Sequence, residues 1–426
     1  MASCTAASSR RTWPKSCANT CCAVESSSAC CSGRPRQRRP IPLTVRTPKT
    51  VRSRTTPAPE NPRPPGIGTA ARGGPTRPWR DYNHRMNVTR GEDDRPGLLV
   101  DRFGRVVRSL RLSVTDRCNL RCQYCMPEGE IPWFPKERIL TFEEIERVAR
   151  HLALLGVAEI RLTGGEPLLR RDLPVLVRLL SRIEGIEDLA VTTNGLLLEE
   201  MAGPLLRAGV RRFNVHIDSL DPASFAALSR RNGLPRVLAG LSELERLGAI
   251  PVKINVVLVR GVNDDQIERF VDLALRRPYQ VRFIELMPLG GGEPFEMDRL
   301  VPGREVKRRI ESMKPLLPIG RDRPSAPANV YRLADGLGDI GFINPVTEPF
   351  CGDCDRIRLT ADGKIRNCLF ARAETDIAAL LRDGSPDESI SAALRAAVAA
   401  KGAGGCLDLH QFYRDRLPRK MWQIGG

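Results

Sequence analysis

Short apolar runs rich in β-branched residues alternate with longer segments in which apolar positions recur every three to four residues. The short runs predict strands at 106–114, 159–163, 188–193, 212–217, 252–259 and 280–286. The longer segments predict helices at 142–155, 173–183, 235–247 and 264–276. This alternation indicates an α/β fold of parallel β/α units, arranged as an open doubly wound sheet or as a full or partial barrel. In either arrangement, functional side chains belong at the carboxyl ends of the strands.

The charge of the chain is unevenly distributed. The 426 residues carry a net charge of +17. Residues 1–85 contain 16 Lys/Arg and three Asp/Glu, whereas residues 86–426 contain 51 and 47. The nearly neutral body and an aromatic content of 5% argue against a nucleic-acid-binding surface. No apolar run approaches the roughly 18–20 residues that a membrane span requires, so we expect no membrane association.

Residues 1–85 are rich in Pro, Ser, Thr and Arg and show no apolar periodicity, which predicts a disordered basic tail. Three interpretations stay open: an extension upstream of a natural start at Met86, an organellar targeting segment, or a functional arm. Prolines oppose the amphipathic helix of a targeting segment. An arginine-rich, proline-rich composition is typical of a GC-rich gene that is read from upstream of its start, so the first interpretation is favoured.

The 13 cysteines indicate metal binding in the body of the chain. Six lie in the tail, and one of the other seven, Cys406, stands alone. The remaining six form two groups of three that are more than 200 residues apart, unlike the evenly spaced cysteines of a small disulfide-rich domain. The groups are Cys118, Cys122 and Cys125, and Cys351, Cys354 and Cys368.

The first group, Cys118-x3-Cys122-x2-Cys125, directly follows the first predicted strand. Three thiolates on one loop suit three irons of a [4Fe–4S] cluster and leave the fourth iron open to another ligand. A structural zinc site, which normally has four ligands, is the alternative.

This spacing, with Tyr124 before the last cysteine, resembles the radical S-adenosylmethionine (SAM) superfamily. The segment Thr163-Gly-Gly-Glu-Pro167 after the second strand is similar to the superfamily's GGEP element, where glycine permits a close backbone approach. The resemblance implies a full or partial (βα) barrel. It also implies a cluster whose unique iron binds SAM, and a 5′-deoxyadenosyl radical that abstracts hydrogen from a substrate.

The second group, Cys351-x2-Cys354-x13-Cys368, surrounds a predicted hairpin with strands at 356–360 and 364–368. The hairpin would return Cys368 to the other two thiols. A second [4Fe–4S] cluster is the favoured interpretation, and a zinc ribbon completed by Cys406 or His410 is the alternative. Arg356 and Arg358 share one face of the strand, and their guanidinium groups suit phosphate or carboxylate.

Two such three-cysteine sites resemble the GTP 3′,8-cyclase family of molybdenum cofactor biosynthesis. Segments 110–118, 161–167, 192–195, 282–287 and 424–426 carry the resemblance, which extends from about residue 104 to the end. It implies a partial (βα)6 TIM-type barrel at 100–300 and a C-terminal Fe–S-binding extension at 301–426 that ends in a di-glycine tail. The implied reaction converts GTP into (8S)-3′,8-cyclo-7,8-dihydro-GTP, with the C-terminal cluster holding the guanine base.

The resemblance also implies individual roles. Both cysteine groups match cluster ligands. The positions that match SAM contacts are Tyr124, Gly165, His216 and Met287, and those that match GTP contacts are Arg111, Arg161, Thr192, Lys253, Arg356, Ile357 and Arg358. His216 departs from the family's usual serine, and we expect it to stay in the site, where it would add a pH dependence.

Further expectations follow from the same resemblance: a homodimer, a cytoplasmic location, and transfer of the product to the synthase that makes cyclic pyranopterin monophosphate. The terminal Gly425-Gly426 is expected to enter the active site. Two other functions stay open. One is a peptide- or protein-modifying radical SAM enzyme with two clusters, and the other is a zinc-ribbon protein that binds nucleic acid through its basic tail.

Overall fold

The computed structural model describes residues 97–289, 297–405 and 419–425. All of them lie within one compact unit, Pro75–Gly426. The predicted disordered tail, Met86, Cys406, His410 and Gly426 lie outside the described residues.

Six parallel strands alternate with helices in the first two-thirds of the described chain. The strands are β1 (Ser109–Ser113), β2 (Glu159–Thr163), β3 (Asp188–Thr193), β4 (Arg212–His216), β5 (Val252–Leu258) and β6 (Tyr279–Glu285). The helices are α1 (Phe142–Leu154), α2 (Leu173–Leu180), α3 (Leu198–Ala208), α4 (Pro222–Ser229), α5 (Leu234–Arg246) and α6 (Ile267–Arg276). The predicted β/α alternation and all six predicted strands are confirmed.

The two faces of these strands differ in chemistry. In β1, Leu110 and Leu112 are fully buried in the main apolar core, which they share with residues of α1 such as Ile145. Ser109, Arg111 and Ser113 alternate with the leucines and are also buried. Because successive strand residues point to opposite faces, one face of β1 packs in the apolar core and the other carries polar and charged groups.

The C-terminal third extends this sheet at both edges. Its elements are α7 (Gly303–Glu311), β7 (Leu316–Gly320), β8 (Asn329–Leu333), β9 (Asp339–Ile343), β10 (Arg356–Leu359), β11 (Lys364–Arg366), β12 (Thr375–Asp376), α8 (Ile377–Arg382), α9 (Asp387–Ala399) and α10 (Met421–Ile424). The strand order is β12-β11-β10-β1-β2-β3-β4-β5-β6-β9-β8-β7. In the described chain the sheet is therefore open and forms a partial barrel. The expected fold class is confirmed.

The predicted hairpin is present, since β10 and β11 are antiparallel and Gly363 in their connection has a positive φ of 76°. The sequence did not predict that β10 pairs in parallel with β1. This pairing aligns Arg358 with Arg111 and makes the hairpin part of the barrel sheet.

The loop between β7 and β8 (residues 321–328) connects strands that are distant in the sheet. Arg323 pairs with Glu159 at the start of β2 and lies 3.5 Å from Asp355 before β10. Asp322 lies 3.6 Å from Lys253 on β5. The loop therefore places charged groups against the inner face of the barrel.

Some helix predictions were incomplete. Helices α3 and α4 were not predicted, and α3 contains Pro204, which removes a helical hydrogen bond. The helix predicted at 173–183 ends at Leu180, and the one predicted from 264 begins as a 3-10 turn before Ile267. Among the described residues, no helix has the length and apolar content that a membrane crossing requires.

The core of this sheet should be sensitive to truncation. Ile254, in the middle of β5, is fully buried, whereas Leu317 on β7 is 55% exposed. We expect Ile254→Ala to destabilise the protein by about 2–5 kcal/mol, because a cavity remains where the side chain was. Leu317→Ala should change stability by no more than about 0.5 kcal/mol. Urea denaturation of the cluster-loaded protein, followed by circular dichroism, measures both, and equal effects would contradict the assignment of β5 to the core.

Candidate active site

The loop that carries Cys118, Cys122 and Cys125 follows β1, and protein groups direct hydrogen bonds at its sulfurs. Cys118 Sγ accepts a hydrogen bond from the backbone N–H of Leu120 at 3.4 Å and lies 3.8 Å from the amide nitrogen of Asn194. The Cys125 sulfur interacts with the backbone N–H of Trp422. Donors to sulfur stabilise the thiolate form that an Fe–S cluster requires.

The three thiols are partly buried and close enough to influence one another electrostatically. Burial and the carboxylate of Glu166 raise the pKa of Cys118 to about 11. Burial, Asp218 and the two other thiols raise the pKa of Cys122 well above its usual value. Thiolates placed this closely need a compensating positive charge, which iron provides. The donor set therefore fits a [4Fe–4S] cluster.

The two glycines after β2 lie against the backbone that leads into this loop. A Cβ at Gly164, whose φ is 142°, would lie 2.3 Å from the carbonyl oxygen of Thr115. A Cβ at Gly165 would lie 2.3 Å from the carbonyl oxygen of Arg117, directly before Cys118. Only glycine permits this approach, which the sequence predicted in general terms. The backbone N–H of Glu166 donates to the same Arg117 oxygen at 2.7 Å.

The side chain of Glu166 joins the ends of β2 and β3. Its carboxylate accepts hydrogen bonds from the Thr193 hydroxyl at 2.6 Å and from the backbone N–H of Asn194 at 2.7 Å. Burial raises the pKa of Glu166 to about 7, although these hydrogen bonds oppose the change. Glu166 thereby positions Asn194, which contacts Cys118.

Tyr124 connects the cysteine loop to the end of β4. Its hydroxyl donates to Asp218 at 2.6 Å and lies 2.5 Å from His216 Nε2, which is 2.8 Å from the same Asp218 oxygen. Burial lowers the pKa of His216, but the Asp218 carboxylate outweighs that effect and leaves the pKa raised. His216 therefore lies beside the first cysteine group, together with the predicted residue Tyr124.

The second cysteine group lines a cavity of about 100 Å³. Cys351, Cys354 and Cys368 contribute to its wall with Arg356 and Arg358. Met287, expected to contact SAM, lines this cavity as well. The structure thus places Met287 with the C-terminal cysteines.

Two cations stabilise the thiolate of Cys354. Arg356 donates to its sulfur at 3.4 Å, and the buried Lys401 lies 3.6 Å from it. Burial raises the pKa of Cys354, but these cations outweigh it and lower the pKa. Three thiols on one cavity, with cations directed at one of them, fit a second cluster.

A row of arginines crosses three adjacent strands near the cavity. Arg358 of β10 is aligned with Arg111 of β1, and Arg111 is aligned with Arg161 of β2. Neighbouring aligned residues project from the same face of a sheet. Three guanidinium groups therefore line one side of the barrel interior.

In the part of the chain that the structure describes, the buried and partly buried cations of the barrel interior outnumber the carboxylates that pair with them. Burial and the neighbouring arginines lower the pKa of Arg111 and Arg161 well below the usual value. Burial, Arg282 and Arg212 do the same to Lys253, and burial lowers the pKa of Arg282 to about 10. Arg161 Nε is buried without a hydrogen-bond partner among the described residues. These features fit a polyanionic ligand.

The side chain of Lys253 points into the barrel rather than to solvent. As an isolated strand lysine it would more often face solvent, but its side chain is 4% exposed and lies near Asp322. Thr192 on β3 is aligned with Asn214, which is aligned with Lys253. The side chain of Ile357 is fully buried in the apolar core, so it can contribute only backbone atoms to a site.

The C-terminal residues enter this region. Arg358 donates a hydrogen bond to the carbonyl oxygen of Gly425. A Cβ at Gly425, where φ is 73°, would lie 2.5 Å from the Ser113 hydroxyl and 2.6 Å from Thr163. The penultimate residue therefore lies at the carboxyl ends of β1 and β2, and Gly426 lies outside the described residues.

Several residues near the site were not predicted to have a role. Arg105 donates at 2.8 Å to the carbonyl oxygen of Cys351, and Lys401 donates at 2.7 Å to that of Cys354. Asp218 binds Tyr124, and Arg282 adds to the buried charge. For Arg282, the alternation of Gln280 and Arg282 in a strand was an available signal, whereas Lys401 lies in a segment without a motif.

Two family models match the chain. The Radical SAM superfamily matches residues 112–274, and Molybdenum Cofactor Synthesis C matches residues 279–405. The first begins within β1 and ends within α6, and the second extends from the start of β6 to the end of the segment after α9.

Three relatives named GTP 3′,8-cyclase match nearly over their whole length. The protein from Rhodopirellula baltica is 44% identical over 336 residues, which cover 78% of this chain and 93% of the relative. That from Pelotomaculum thermopropionicum is 45% identical over 332 residues (77% and 100%), and that from Mycolicibacterium smegmatis is 43% identical over 337 residues (78% and 92%). With this identity across nearly the full length of the relatives, the chain belongs to the GTP 3′,8-cyclase family.

Proposed function

We propose that this protein converts GTP into (8S)-3′,8-cyclo-7,8-dihydroguanosine 5′-triphosphate, the first step of molybdenum cofactor biosynthesis. The principal supporting observation is the row of Arg358, Arg111 and Arg161, which lies on neighbouring strands beside the C-terminal cysteine cavity. A triphosphate carries about four negative charges, and buried guanidinium groups recognise its oxygens with paired hydrogen bonds. Membership of the family supplies the reaction.

Two [4Fe–4S] clusters and SAM are the cofactors of this function. Cys118, Cys122 and Cys125 would hold one cluster, and Cys351, Cys354 and Cys368 would hold the other. When bound and reduced, the N-terminal cluster with SAM supplies the 5′-deoxyadenosyl radical that removes hydrogen from C3′ of GTP.

The residues around the first cluster bind and orient SAM in this proposal. Tyr124, Gly165 and His216 are the contacts, and Asp218 positions Tyr124 and His216 through short hydrogen bonds. Met287 is also assigned to SAM, and its place on the C-terminal cavity would put it between the two cofactors.

The cationic interior binds the triphosphate and orients the ribose. Arg111, Arg161 and Lys253 would contact phosphate oxygens, and Thr192 would add a hydroxyl on β3. Arg356 and Arg358 border the C-terminal cavity, where the backbone of Ile357 also contributes. Together, the contacts to the phosphates and to the base would place guanine at the second cluster. In that position, C8 of the base would lie within reach of C3′ of the ribose.

We further propose the organisation and the setting of the enzyme. Residues 100–300 would form the radical SAM partial barrel, residues 301–426 the extension with the second cluster and the di-glycine tail, and residues 1–85 a separate basic tail. A homodimer in the cytoplasm that delivers its product to the cyclic pyranopterin monophosphate synthase is consistent with the family.

The proposed reaction can be tested directly. Anaerobically purified protein should contain about eight irons per chain. After reduction and incubation with GTP and SAM, mass spectrometry should detect 5′-deoxyadenosine together with a cyclised guanine nucleotide. Formation of 5′-deoxyadenosine alone would favour a peptide-modifying enzyme, and one or two zinc ions per chain would contradict both cluster assignments.

Single cysteine variants should separate the two clusters. Cys118→Ser removes a ligand of the first cluster, so SAM cleavage should fall by at least about 100-fold. Cys368→Ser should preserve the first cluster and reductive SAM cleavage but lose GTP cyclisation. Both variants should retain about four irons per chain. Iron analysis and 5′-deoxyadenosine assays measure these outcomes, and normal cyclisation by Cys368→Ser would exclude the second cluster from substrate binding.

Deletion of Gly425 and Gly426 tests the C-terminal tail. Because Gly425 contacts Arg358 and lies at the ends of β1 and β2, its loss should remove most GTP conversion while the iron content stays unchanged. Leu337→Ala, which truncates a 69% exposed side chain, is a control expected to have full activity. Full activity of the deletion variant would refute the proposed role of the tail.

A further inference from the structure

We propose that Asp322 is a displaceable counter-anion in the GTP site, which occupies the position beside Lys253 until a phosphate group of GTP replaces it. This inference rests on the proposed function, because it assigns Lys253 to the triphosphate. It makes Asp322 a residue that sets the affinity for GTP without contacting the substrate.

Asp322 is carried by a loop with firm attachments on its other residues. Arg321 Nε donates to the Asn329 side-chain oxygen at 2.9 Å. Arg323 forms a two-pronged pair with Glu159, and the Ser325 hydroxyl donates to Asp355 at 2.9 Å. The loop is thereby fixed to β8, to β2 and to the segment before β10, so Asp322 has a defined position over β5.

The contact of Asp322 itself is looser. Its oxygen lies 3.6 Å from Lys253 Nζ, beyond hydrogen-bond distance, and its side chain is 24% exposed whereas that of Lys253 is 4% exposed. Arg323, by contrast, bonds Glu159 directly. Of the loop side chains described above, Asp322 is the one that contacts its partner without a hydrogen bond, so it can move away from Lys253 at the smallest cost.

Asp322 also has the charge that the site requires in the absence of substrate. Lys253 is surrounded by the cations Arg282, Arg212 and Arg161, which lower its pKa, and Asp322 is the carboxylate that opposes them. Asp322 opposes the same effect at Arg282. Glu159 and Asp188 are already paired with Arg212 and Arg323. Among the described residues, Asp322 is therefore the carboxylate that forms an ion pair with Lys253 at this end of the cationic interior.

Displacement follows from the charges. A phosphate group at Lys253 would lie against Asp322, and two anions cannot share the lysine without repulsion. The triphosphate, which also gains Arg111 and Arg161, can replace the single carboxylate. A ligand that binds Lys253 must first break the Asp322–Lys253 pair. The free energy of breaking this pair therefore weakens the observed affinity of every such ligand.

The test measures GTP binding to the anaerobic, cluster-loaded protein without SAM, by isothermal titration calorimetry. We expect Asp322→Asn to bind GTP about 5- to 50-fold more tightly. Guanosine, which has no phosphate, should bind equally to both proteins. Asp322→Ser should behave like Asp322→Asn, so a packing effect of one substitution cannot account for the result.

Asp339→Asn is the matched control. Asp339 has the same exposed fraction of 24% but pairs with Arg332 at 3.1 Å, so its removal should change GTP affinity by less than about twofold. In a Lys253→Met background, Asp322→Asn should produce a much smaller gain, because the Asp322–Lys253 pair no longer exists.

Unchanged or weaker GTP binding by both Asp322 variants would overturn the proposal, as would a gain that is undiminished without Lys253 or that Asp339→Asn reproduces. Circular dichroism and iron content confirm that each variant is folded and loaded. Cyclisation by the wild-type protein is assayed separately. A wild type that binds GTP but forms no cyclised product would refute the proposed function and leave the Asp322 comparison valid.

Discussion

The burial of several cations on one inner face of an open barrel is the constraint on which the rest of this structure depends. Isolated buried charges cost several kilocalories per mole each, and the aligned Arg358, Arg111 and Arg161 also repel one another. A protein can retain such a row where a polyanion compensates it during function. Among the residues that the structure describes, the carboxylates Glu159, Asp188 and Asp322 form their ion pairs with Arg212, Arg323 and Lys253 rather than with the arginine row. Binding of the anionic substrate thereby offsets the electrostatic repulsion among these cations, which the folded protein alone does not offset.

The two cysteine groups are arranged around that charge by backbone contacts. Gly164 and Gly165 allow the segment before Cys118 to lie directly against the turn after β2, and Glu166 secures this turn to β3. On the other side, pairing of β10 with β1 places Arg356 and Arg358 on the cavity of the second group. The penultimate residue Gly425 then reaches the carboxyl ends of β1 and β2. The fold thus positions both metal sites and the tail around one row of cations.

Local sequence patterns predicted those features of the structure that depend on residues close together in the chain. The six parallel strands have dense β-branched runs, the cysteine groups have short spacings, and the hairpin at Gly363 has a recognisable turn. The pairing of β10 with β1 joins residues about 250 positions apart, and no local signal encodes it. The same holds for the loop that brings Asp322 to Lys253, and for Lys401, which contacts Cys354 from the segment after α9. Periodicity also missed α3, because Pro204 interrupts an otherwise helical segment. Long-range charge placement, which determines the site, required the structure.

The central claim is that buried positive charge inside the barrel binds the triphosphate. The most direct measurement compares the dissociation constants of GTP and guanosine for the cluster-loaded protein at low and high salt. The account predicts that GTP binds at least about 100-fold more tightly than guanosine, because each charge-assisted hydrogen bond contributes roughly 1.5–3 kcal/mol. Salt should reduce the difference only modestly, since buried pairs are weakly screened. Equal affinity of the two ligands would contradict the account.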